Sequence, residues 1–106
     1  MDETEFVRLA ERALERIEAA LEESALDADI ERKEGGVLEI EYADGSRMVI
    51  NRHGAAREIW VAARSGGHHF RWDGAAWRDT REGGELFSVL SRLVSEQSGA
   101  SVELRA

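Results

Sequence analysis

The sequence predicts an α+β two-layer sandwich, with N- and C-terminal helices packed on one face of an antiparallel β-sheet. Three observations predict it. Apolar residues recur at helical spacing near both ends of the chain. Between them the pattern changes to strict alternation. Turns of hairpin length separate the alternating runs, which makes the strands antiparallel neighbours. At 106 residues the chain is a single domain, 1–106, without linkers, repeats or low-complexity tracts.

Residues 3–24 read as the first helix. Asp2 with Glu5 three residues on reads as a capping box. Phe6, Leu9, Ala10, Ala13, Leu14, Ile17, Ala20 and Leu21 then cover one broad face. A first strand at 30–34 ends in Gly35-Gly36. The run 37–42 alternates, Asp44-Gly45 turns the chain, and 47–51 returns. Further strands are read at 58–63, at 68–72 after Gly66-Gly67, and around Trp77 after Asp73-Gly74. Helical spacing resumes over 85–97, with Leu86, Val89, Leu90, Leu93 and Val94 on one side and Gly99 beyond the end. The tail 101–104 is either an added strand or an apolar plug.

Charge is the most informative part of the composition. The net charge is −8, and residues 1–31 hold eleven acids against three arginines, so the whole excess lies in the first third. Such a field repels nucleic acid and anionic membrane and attracts cations or a basic protein surface. Cysteine is missing, which excludes disulfides, thiol catalysis and thiolate metal sites. Any metal is left to carboxylates or to three histidines, a donor set for hard or borderline ions. No apolar run is long enough to span a membrane. The acidic opening, Met1-Asp2-Glu3-Thr4-Glu5, fits neither a secretory signal nor a transit peptide, so the expectation is a cytoplasmic protein.

Two features stand out as candidate sites. Glu11, Glu15, Glu18 and Glu22 line one stripe of the first helix, and Glu23, Asp27, Asp29 and Glu31 carry the acidity on into the first strand. Like charges four apart cost helix stability, which a sequence selected only to fold would avoid with interspersed lysines. Arg8, Arg12 and Arg16 dilute the field from a neighbouring stripe, and an ordinary solvated helix face is the alternative reading. Clustered surface carboxylates bind divalent cations weakly and with little selectivity. The second feature is Trp60. Alternation puts Ile59, Val61 and Ala63 toward the core and Trp60 outward, in a set with Glu39, Glu41, Arg47, Asn51, His69 and Arg71. A large aromatic among polar groups has the composition of an interface centre; the alternative is a Trp60 covered by the tail. His68 and His69 face opposite ways and cannot chelate together, while His53 falls in a loop. No phosphate-binding glycine motif or nucleophile motif is present, which argues against an enzyme.

Over essentially its whole length the sequence resembles the frataxin family, in its bacterial branch. The resemblance is carried by Val49-Ile50-Asn51-Arg52, by Ile59-Trp60-Val61-Ala62 seven residues on, and by Ser65-Gly66-Gly67-His68-His69-Phe70. Glu5-Phe6-x-Arg8-Leu9-Ala10, Asp29-Ile30, Gly35-Gly36-Val37-Leu38, Asp44-Gly45-Ser46, Trp77 and Leu86-Phe87-x-x-Leu90 also fit. It implies the frataxin-like form of the sandwich already read. It implies weak, surface-bound ferrous iron (Fe2+), with ferric iron (Fe3+) or other divalent cations as alternatives, on an acidic ridge of Glu11, Glu15, Glu18, Glu22, Glu23, Asp27, Asp29 and Glu31. It also implies two partners, cysteine desulfurase and the iron–sulfur scaffold protein, met by Glu18, Glu22, Asn51, Trp60 and His69. The implied function is an iron chaperone or regulator of iron–sulfur cluster assembly, monomeric and able to oligomerise with iron. Two other readings are a ferroxidase with iron storage and, outside the family, an acidic decoy for a basic protein. The chain departs from the family pattern at Glu58, where glutamine is frequent, and at Ala19, Arg12 and Arg16 beside the ridge.

Overall fold

The computed structural model describes residues 1–106. Helix α1 (Glu3–Glu23) leads into a meander of β1 (Ala28–Lys33), β2 (Val37–Tyr42), β3 (Arg47–His53), β4 (Glu58–Ala63), β5 (Gly66–Trp72) and β6 (Trp77–Asp79), and α2 (Leu86–Ser98) closes the series. The six strands form one antiparallel sheet in sequence order. Both helices cover the same face, as the sequence predicts, and the other face has no helix over it.

Local chemistry sets each element. Asp2 caps α1, its carboxylate accepting from the Glu5 amide at 2.8 Å. Seven apolar side chains of α1 are buried, from Phe6 to Leu21, while Leu9 stays half-exposed at the edge of that face. The Glu85 carboxylate caps α2 by accepting from Phe87 and Ser88 amides, and Gly99 ends it in the left-handed region at φ 76°. Gly36 also needs its missing side chain. Its φ is +76°, and a Cβ there would fall 2.3–2.6 Å from the Arg52 side chain, which lies across it.

Burial alternates along the strands. Leu38, Ile40 and Tyr42, then Met48 and Ile50, then Ile59 and Val61 join the helices in a core of 24 residues. Trp77 packs edge-on against Phe6, with ring centroids 6.1 Å apart, and ties β6 under α1. Gln97 is a buried polar exception. Its amide donates to Ser46 Oγ and the Arg47 carbonyl and accepts from the Arg64 amide, fixing the end of α2 to two sheet turns.

Two expectations are corrected, and one alternative is decided. The first strand begins at Ala28, two residues before the predicted start, because Ala28 pairs with Tyr42. His53 is not in a loop: it is the last residue of β3, opposite Glu58. Of the two readings of the tail, an added strand or an apolar plug, the plug holds. Val102 and Leu104 are buried as a plug, and α2 serines satisfy its backbone: Ser95 Oγ accepts from the Val102 amide at 2.9 Å and Ser91 Oγ from the Leu104 amide at 2.8 Å.

Candidate functional site

The acidic residues do not form one flat stripe. They wrap around the free edge of the sheet at β1. Glu11 and Glu18, two turns apart on α1, lean toward β1 and meet Arg32, whose guanidinium reaches Glu11 at 2.9 Å and Glu18 at 3.6 Å. Arg52 adds a second contact to Glu11 at 3.4 Å, along the path that Gly36 leaves open. Arg32 points this way because it shares the helix-facing parity of Ala28 and Ile30. Glu15, Glu22, Glu23 and Asp27 are exposed and have no basic partner within 4 Å.

Asp29 and Glu31 sit on the opposite face of β1, opposite Glu41 and Glu39 of β2. Lys33 holds this second group together, 3.0 Å from Glu39 and 3.8 Å from Glu31, with Arg47 on Glu39 and Glu41. The Lys33 hydrogen bond lowers the Glu39 carboxyl below the usual carboxylate range, and the same bond raises Lys33. The eight ridge carboxylates do not converge: nowhere do three or more His, Asp or Glu side chains gather at a spacing that would hold one metal ion. Oxygen donors of this kind suit ferrous iron, but each would supply one or two ligands and leave the rest to water.

On the helix-free face the predicted outward set is assembled by register. Asn51, Trp60 and His69 lie side by side across β3, β4 and β5. Trp60 is half-buried there. His53 stacks on one face of its indole at 3.7 Å between centroids and His69 on the other at 4.4 Å, both within about 10° of parallel. Beneath the stack the Glu58 carboxylate is 6% exposed. It accepts from the Trp60 indole N–H at 2.9 Å and from Arg71 at 2.6 Å, with His69 Nδ1 at 3.7 Å. Trp60 thus points away from the core and is held at a fixed angle.

Sequence reasoning missed Arg32, Arg52, His53 and Glu58. A signal existed for His53 and Glu58: once Asn51 pairs with Trp60, the four-residue Gly54–Arg57 connection places His53 opposite Glu58 on the same face. For Arg32 the only signal was parity, which says that it faces the helix layer but not which carboxylates it meets.

Fold and surfaces together define the class, an α+β sandwich with a carboxylate-lined helix–strand edge and an open sheet face carrying a clamped tryptophan. The family model for a frataxin-like domain matches residues 1–100. An iron-sulfur cluster assembly protein of Dechloromonas aromatica, CyaY, is 60% identical over 99% of this chain and 100% of the relative. Its counterpart in Cupriavidus taiwanensis is 54% identical over 96% of this chain and 95% of the relative. Among solved structures, frataxin from Psychromonas ingrahamii superposes with a TM-score of 0.90 at 31% identity, covering 100% of both chains. Trimeric yeast frataxin complexed with ferrous iron gives a TM-score of 0.72 at 26% identity, with 85% of each chain covered. This chain belongs to the frataxin family.

Proposed function

We propose that this protein is an iron-responsive regulator of iron–sulfur cluster assembly that also carries iron to it, acting in the cytoplasm as a binding protein and not as an enzyme. Ferrous iron is its cargo, held transiently along the acidic edge. The same edge docks on a basic surface of cysteine desulfurase, and the Trp60 face meets the desulfurase–scaffold complex. The observation that carries the reading is that five exposed carboxylates of the helix–strand edge, Glu15, Glu22, Glu23, Asp27 and Asp29, have no basic partner. Most acidic side chains elsewhere are paired to a cation or spent on a cap, whereas these five stay available to an outside positive charge. Names of relatives agree with the reading, since they are iron-sulfur cluster assembly proteins and one family member is complexed with ferrous iron.

Iron and the desulfurase would compete for, or share, the same carboxylates. An iron-dependent change in docking is therefore the expected regulatory behaviour. An amide-resolved NMR titration with the host's cysteine desulfurase, with and without ferrous iron under anaerobic conditions, tests this. Signals from residues 11–31 should shift or broaden with the desulfurase, and those around Trp60 should follow once scaffold is added. If no signal moves at micromolar protein in low salt, the docking proposal is lost.

A further inference from the structure

A groove of about 450 Å3 lies between α1, β6 and the start of α2, on the helix side, and shares no lining residue with either surface described above. Its lining is mostly apolar and includes Leu9, Trp72, Trp77 and Phe87. Trp72 and Trp77 meet edge to face at 5.5 Å and form a rigid aromatic wall. The volume falls within the range of small-molecule sites, about 300–1,000 Å3.

The rim is cationic. Arg12 and Arg16, one helical turn apart, both border the groove and are exposed. Neither has a carboxylate within 4 Å, in a chain with 22 acidic residues. Two like charges four apart slightly weaken the helix that bears them. The acid that borders the groove, Glu85, already accepts hydrogen bonds from the Phe87 and Ser88 amides as the α2 cap.

We infer that this groove binds a small amphipathic anion, with an aliphatic or aromatic body on the tryptophan wall and one anionic head between Arg12 and Arg16. The apolar body removes indole and leucine surface from water, and the guanidinium pair supplies charge-assisted hydrogen bonds to the head. A neutral molecule of the same body would gain only the first term.

Octanoate and octanol serve as probes, followed by amide-resolved NMR on the full chain. Octanoate is expected to shift Leu9, Ala13, Ala76 and the Trp72 and Trp77 indole signals saturably, and octanol to bind the same place about tenfold more weakly. Arg12→Gln/Arg16→Gln should bring octanoate down to the level of octanol. Arg8→Gln, on the same helix but outside the groove, should leave the difference in place. The inference is overturned if octanoate gives no saturable shifts at these residues, if both probes bind equally to the unaltered protein, or if Arg8→Gln weakens octanoate as much as the double change. The comparison of probes on the unaltered protein requires no variant to fold. Because it involves neither iron nor the desulfurase, its failure leaves the proposed function untouched.

Discussion

Trp60 shows how a residue can be outward-facing and still be structural. Its indole lies between two imidazoles and donates to a buried carboxylate. Trp60→Ala should therefore lower stability by about 1–2 kcal/mol, the size of lost stacking plus one charge-assisted hydrogen bond, without unfolding the protein. Urea unfolding measures the loss, and binding to the desulfurase–scaffold complex should fall far more than stability does. A Trp60→Ala protein that is unfolded would place the residue in the core and end its assignment as a contact. Tyr42 is the chain's one tyrosine, which makes it a clean probe. Burial of its ring and hydroxyl pushes it up to about 12. A raised value in the folded state favours the neutral phenol. Its contribution to stability is complete below the unfolded value of about 10 and is lost as pH rises toward about 12. Tyrosinate absorbance should thus appear late, together with loss of near-ultraviolet circular dichroism; titration near the ordinary value in folded protein would contradict the burial.

At the scale of elements, the α1–β1 edge and the α2 tail each yield an expectation. Arg32 holds Glu11 and Glu18 and so competes with any incoming cation. Arg32→Gln should raise affinity for a divalent ion at this edge several-fold, read by anaerobic calorimetry with ferrous iron, while lowering stability by about 1 kcal/mol. Unchanged affinity would mean that cations bind elsewhere on the edge, among Glu15, Glu22, Glu23 and Asp27. The tail is held differently, by two buried apolar side chains and by serines one turn apart on α2. Val102→Ser/Leu104→Ser should cost about 3 kcal/mol in chemical denaturation, since both side chains lose buried apolar contact. A cost below about 1 kcal/mol would mean that the plug is loosely seated.

Across the whole molecule, the −8 excess lies in residues 1–31, on α1 and the start of β1, and residues 32–106 balance to zero with many of their charges in local pairs. That asymmetry gives the molecule an oriented field, which steers encounter with a basic partner more than it tightens the final contact. Glu15 and Glu22 make the better reversal sites, because Glu18 is tied to Arg32 and its reversal would also break an ion pair. Glu15→Lys/Glu22→Lys should weaken desulfurase docking at least tenfold in low salt, and the difference should shrink as salt is raised. A salt-independent difference would point to a short-range contact in place of the field.

The sequence by itself determined the elements, their order and the direction of Trp60. Those follow from periods of 3.6 and 2, from the Asp2 cap and from turn residues, all of which act between near neighbours. It also placed the acid, because charge segregation is countable before folding. Only the tertiary structure decided which acids remain free. The Arg32–Glu11 and Arg52–Glu11 contacts span 21 and 41 residues, and no local pattern records such a pairing. The His53–Trp60–His69 stack, the burial of Glu58 and the seating of the tail on Ser91 and Ser95 likewise depend on strand register and helix placement. Which atoms meet across elements is fixed by packing, and packing is a property of the whole chain.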